Sequence, residues 1–67
     1  MLTAGTVTNA QIRALRHEAR ANGDEVLVDL CDRCLPGEGY DPLFADMLRG
    51  ECADAINKAR ARIGGRR

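Results

Sequence analysis

Two breaks govern what this chain can fold into. Gly23-Asp24 and Pro36-Gly37-Glu38-Gly39 cut it into three stretches, and within each the apolar residues recur three and four positions apart. That is the spacing of a helix face, not of a strand. The sequence predicts an all-α three-helix bundle with helices over about 8–22, 25–35 and 42–63, preceded by a flexible arm over 1–7 and followed by a basic tail over 64–67.

Each helix carries its own boundary signals. Thr8-Asn9-Ala10-Gln11 has the form of a capping box, with Val7 and Ile12 spaced as a hydrophobic staple around it. Ile12, Leu15 and Ala19 continue the first stripe, and Gly23 is suited to the left-handed turn after a helix end. Asp24 is placed to cap the second helix, whose apolar face reads Val26, Leu27, Leu30, Cys31 and Cys34. Asp41 as cap and Pro42 at the first helical position would start the third. Its stripe runs Leu43, Phe44, Met47, Leu48, Cys52, Ala55, Ile56, Ala59 and Ile63, with Gly50 as the weak point. Tyr40 and Phe44, flanking that cap, are expected to plug one end of the bundle.

A chain of 67 residues buries only about 60% of its unfolded surface, which leaves a lone core marginal. The third helix exceeds the second by about ten residues, so part of its stripe should lie beyond its intrachain partners. Cys52, Ala55, Ile56, Ala59 and Ile63 are therefore the expected homodimer interface, and the alternative to Tyr40 as a plug is an exposed Tyr40 acting as an interface anchor. No apolar run exceeds three residues, which excludes a membrane span. The first ten residues have neither a basic start nor an apolar stretch, so no signal peptide is expected. Three cysteines, an odd number, favour a reducing cytoplasm over a disulfide framework.

Ten basic and ten acidic side chains cancel in total but not in place. Residues 24–54 carry nine acids against Arg33 and Arg49, whereas residues 55–67 carry Lys58, Arg60, Arg62, Arg66 and Arg67 with no acid. Internal complementarity and the helix macrodipole account for this segregation. The functional alternatives are an acidic protein-binding face around Asp29 and Asp32, or a basic end that touches nucleic acid through its phosphates. A helix-turn-helix reader is not indicated, because the second helix presents Glu25, Asp29 and Asp32 with one Arg.

Cys31, Cys34, Cys52 and His17 are together the residue set of a tetrahedral zinc site. The Cys-x-x-Cys pair falls inside an amphipathic helix, however, and no second such pair completes a motif. All three cysteines lie on apolar faces, so they are read as core thiols, with a zinc-stabilised mini-domain the weaker alternative and no cofactor expected. Asp29 and Asp32 beside Cys31 should raise its pKa, and no βαβ pattern supports a redox enzyme. One His without an orienting partner gives no nucleophilic centre, so no enzyme is expected.

Thr8 to Asn22 (TNAQIRALRHEARAN), Gly23-Asp24, Leu30-Cys31-Asp32-Arg33 and Glu51 to Ala61 (ECADAINKARA) together resemble a group of short proteins encoded in phage, prophage and mobile-element regions of bacteria. Their usual form runs T-x-x-Q-I-x-x-L-R-x-E-A, then G-D, then C-D-R-A-L, then E-C-A-x-x-I-x-x-A. This chain has Cys34 where that form has Ala. The resemblance assigns no residue roles. It implies a bacterial or phage cytoplasm and an accessory role, which fits a non-enzymatic protein-interaction module that modulates a host or defence protein, with a small nucleic-acid-associated regulator as the alternative.

Overall fold

The computed structural model describes the backbone of residues 1–64 and the side chains of residues 1–62. The chain forms three helices, α1 (Asn9–Ala21), α2 (Glu25–Cys34) and α3 (Ala45–Gly64), and no strand among the described residues. It is the small all-α bundle that the spacing predicts.

Local chemistry sets the ends of α1. The Gln11 N–H donates to Thr8 Oγ1 at 3.1 Å, and the Thr8 N–H donates to Gln11 Oε1 at 2.8 Å, which closes the capping box. At the other end Gly23 takes φ +73°. Its N–H donates to the Arg20 carbonyl at 3.1 Å and the Asp24 N–H to the Ala19 carbonyl at 2.8 Å, the paired bonds of a Schellman motif. The chain reverses there within two residues, and Asp24 Oδ1 accepts from the Leu27 N–H at 3.2 Å to start α2.

Helix α3 begins later than the sequence suggests. Asp41 Oδ1 accepts from the Leu43 N–H at 3.2 Å and the Asp41 carbonyl from the Phe44 N–H at 3.3 Å, so residues 42–44 make a turn before the helix. Pro42 is therefore not the first helical residue. The connector is tied back to α2 by the Asp41 N–H, which donates to the Arg33 carbonyl at 3.0 Å. Gly39 lies so close to α2 that an added Cβ would meet the Asp32 Cβ at 3.3 Å.

Gly50 does not break α3, which is continuous through it. The inward face of the helix is made by Ala45, Leu48, Cys52, Ala53 and Ile56. At about 100° per residue Met47 falls well off that face, Leu43 and Phe44 sit in the turn before the helix, and Val26 falls about 140° round α2 from Cys31. Val26, Leu43, Phe44 and Met47, expected inside, are accordingly exposed. The second half of α3 outruns the bundle: every described side chain from Lys58 to Arg62 is exposed.

Residues 1–7 are not a free arm. Val7 is buried against the core, and Leu2 packs beside it. A turn closed by the Val7 N–H donating to the Thr3 carbonyl at 2.9 Å shapes the segment. Asn57 of α3 brackets Leu2, accepting from its N–H at 3.0 Å and donating to its carbonyl at 2.8 Å. The segment lacks periodicity because it is a turn held by side chains, and periodicity cannot report such a structure.

The two glycines should respond oppositely to alanine. Gly23→Ala forces a Cβ into left-handed backbone and should cost about 1–2 kcal/mol. Gly50→Ala places a Cβ at an ordinary 3.7 Å from Ala4 Cβ and should stabilise by up to about 1 kcal/mol through helix propensity. Urea unfolding of both variants beside the parent chain tests the signs.

Candidate functional site

The cysteines meet. Cys31 and Cys34, one turn apart on α2, face Cys52 of α3, whose Sγ lies 4.0 Å from the first sulfur and 3.9 Å from the second. All three are free thiols in the core, alongside Val7, Ile12, Leu15, Leu35 and Ala53. The Cys34 thiol also approaches the Ala45 carbonyl at 4.0 Å. Small side chains at this crossing let α2 and α3 pack closely.

The hydrogen bond with Cys52 lowers the pKa of Cys31, because a thiol donor favours the neighbouring thiolate; this outweighs burial and the nearby Asp32 carboxylate, which both raise it. The expected rise at Cys31 is thus reversed in sign. Cys52 is pushed far up, first by the same hydrogen bond and then by burial. Burial also raises Cys34.

His17, the fourth ligand of the zinc alternative, is exposed and lines a groove of about 490 Å³ with Ala14 and Leu15 of α1 and Ile56 and Ala59 of α3. It does not join the thiols, and among the described residues no group of three or more His, Cys, Asp or Glu side chains is arranged to hold a metal ion.

The expected helix-three interface is only partly available. Cys52 is fully buried and cannot meet a second chain, while Ala55 and Ile56 are half-buried against their own core. Ala59 is exposed, and the Ile63 side chain lies outside the described residues. Asp29 and Asp32 are not a free acidic pair. Asp32 accepts from Arg16 Nε at 2.5 Å, joining α2 to α1, and Asp29 accepts from Arg33 Nε at 3.0 Å, one turn along α2. Lys58, Arg60 and Arg62 are exposed on the projecting end of α3, whereas Arg66 and Arg67 lie outside the described residues.

Tyr40 and Phe44 do not plug the bundle. They are 46% and 51% exposed, and Leu43 and Met47 between and beside them are 86% and 60% exposed. This run of large apolar side chains, spanning the connector and the first turn of α3, contains the only tyrosine and the only phenylalanine of the chain. Helical spacing alone groups Leu43, Phe44 and Met47 with Leu48 and Cys52 in one stripe, and does not say which of them turn inward. Sequence reading also missed Arg49. Its guanidinium donates from Nη1 to Asn9 Oδ1 at 2.7 Å and from Nη2 to the Val7 carbonyl at 2.5 Å, clamping α3 to the start of α1.

Comparison with protein-family models, with curated proteins and with solved structures finds no match to this chain. No helix of the described residues is long and apolar enough to cross a membrane.

The raised thiols give a pH signature. In the unfolded chain the cysteines ionise near 9.0. In the folded chain Cys34 and Cys52 hold their protons above that, so the unfolded state binds fewer protons and stability falls as pH climbs past 9.0. Below 9.0 these two groups make no pH-dependent contribution. Cys31, whose pKa is lowered, acts with the opposite sign below 9.0. Denaturant midpoints of the reduced protein should therefore fall only from about pH 9 to about pH 10. They should fall less in Cys34→Ala, which removes a raised thiol and leaves the Cys31–Cys52 hydrogen bond in place.

Proposed function

We propose that this protein is a non-enzymatic protein-interaction module that binds its partner through the surface of Tyr40, Leu43, Phe44 and Met47. The observation that supports this reading is the exposure of those four side chains in a domain whose core is made of smaller residues. Aromatic residues and methionine are enriched at interface centres, where a rigid ring fills a pocket and a flexible thioether adapts to its walls. Asp41 and Asp46 are interspersed in the apolar run, and Asp46 is exposed. A partner suited to this surface offers an apolar pocket with a basic rim.

The resemblance to phage and mobile-element proteins gives the setting of the proposal: an accessory protein of the bacterial cytoplasm that modulates a host or defence protein. The protein-binding reading moves the interface from the middle of α3, where Cys52 is buried and Ile56 half-buried, to the connector and the first turn of α3. A homodimer through this same surface is the competing occupant. A second reading, a nucleic-acid-associated regulator, is favoured by one observation, the exposure of Lys58, Arg60 and Arg62 on the projecting end of α3.

The test is a pull-down from bacterial lysate with the parent chain and with Leu43→Ser/Phe44→Ser/Met47→Ser. These side chains are already exposed, so the substitutions should leave the thermal midpoint little changed. Loss of a central anchor typically costs about 2 kcal/mol or more, so affinity for a retained partner should fall by at least about 30-fold. Equal retention by both chains refutes the assignment of the surface. Sedimentation of the parent chain separates a self-associating dimer from a monomer that awaits another protein. Salt-dependent binding of a duplex oligonucleotide, lost when Lys58, Arg60 and Arg62 are neutralised, would instead support the second reading.

A further inference from the structure

Cys34 differs from its two neighbours in what lies in front of it. Cys31 and Cys52 are wholly enclosed, whereas Cys34, 2% exposed, lines a surface groove of about 310 Å³ together with Asn9, Pro36, Tyr40, Asp46 and Arg49. Behind it Cys52 Sγ waits at 3.9 Å. A disulfide needs about 2.05 Å between sulfurs, so the two must close by roughly 2 Å.

We propose that Cys34 and Cys52 form an oxidisable dithiol, a modification site at which a hydroperoxide entering by the groove is reduced and a disulfide is left between α2 and α3. The Cys34 sulfur attacks one peroxide oxygen; an S–O bond forms, the O–O bond breaks, and the departing hydroxide takes the thiol proton as water. The Cys52 sulfur then attacks Cys34 Sγ; the S–S bond forms, the S–O bond breaks, and the second hydroxide leaves as water with the Cys52 proton. Two thiols and one hydrogen peroxide become one disulfide and two waters. Burial raises the Cys34 pKa, which keeps its thiolate scarce, so the site answers sustained oxidant slowly and is not built for turnover.

The position of the bond gives it a consequence. Tyr40, Leu43, Phe44 and Met47 all lie between Cys34 and Cys52 in the chain, so oxidation would brace both ends of the segment that carries the exposed apolar surface. The dithiol proposal stands whether or not that surface binds a partner.

Trypsin makes the test direct, because cleavage after Arg20, Arg33, Arg49 and Lys58 puts the three cysteines on separate peptides: 21–33, 34–49 and 50–58. The fully reduced chain is treated with hydrogen peroxide in native buffer, its remaining thiols are alkylated, and the digest is mapped by mass spectrometry. The expected major product joins 34–49 to 50–58, two hydrogens lighter than the separate thiol peptides. Cys31→Ala should retain it and Cys34→Ala should lose it. A major link involving 21–33, a link between chains, or no link while circular dichroism shows the fold intact would each overturn the proposal. The parent-chain map decides the matter even if a variant fails to fold.

Discussion

The bundle depends on the close crossing of α2 and α3 at Cys31, Cys34 and Cys52. A larger side chain at any of these positions would push the helices apart, and a polar one would be buried without water. Because thiols are small and polarizable, three can pack together at one helix crossing. The cost is a thin apolar core, with Ile12 the largest of the fully buried side chains. The remaining cohesion has to come from outside that crossing.

Much of it comes from polar clamps that join distant parts of the chain. Arg49 reaches from α3 to Asn9 and the Val7 carbonyl, Asn57 brackets Leu2, and Arg16 binds Asp32 across α1 and α2. Hydrogen bonds to a charged group are stronger than neutral ones, and the Arg49 clamp is half-buried and comes in a pair. The Arg49 and Asn57 contacts convert residues 1–7 from an appendage into a lid that seals Val7 over the core.

Legibility in the sequence followed the range of the physics. Thr8, Gln11, Gly23 and Asp24 act on neighbours a few residues away, and their signals located α1 and the start of α2 to within a residue or so. The three cysteines were placed on buried faces by composition and period alone. Long-range matters were not legible: nothing local to Leu2 or Val7 announces Asn57 or Arg49. The stripe of the third stretch reads as one continuous face from Leu43 to Ile63. Leu48, Cys52, Ala55 and Ile56 pack on the core while Leu43, Phe44 and Met47 do not, and finding that division needs to know where α2 lies. Leu43 and Phe44 precede the helix and Met47 faces away from the crossing with α2, and the surface proposed to bind a partner consists of these three residues with Tyr40.

The bracket around Leu2 has a kinetic meaning. Consecutive helices joined by short turns meet early in folding, since their contacts are local and little chain entropy is lost in making them. The Leu2–Asn57 bonds join residues 55 positions apart, the longest closure among the side-chain hydrogen bonds described. Closing so long a loop costs more chain entropy than the local helix contacts, so the N-terminal segment is expected to dock after the helices and to open before them. Its departure would uncover Val7 and loosen the Arg49 clamp, making this segment the place where a protease or an unfolding force first gains hold of the molecule.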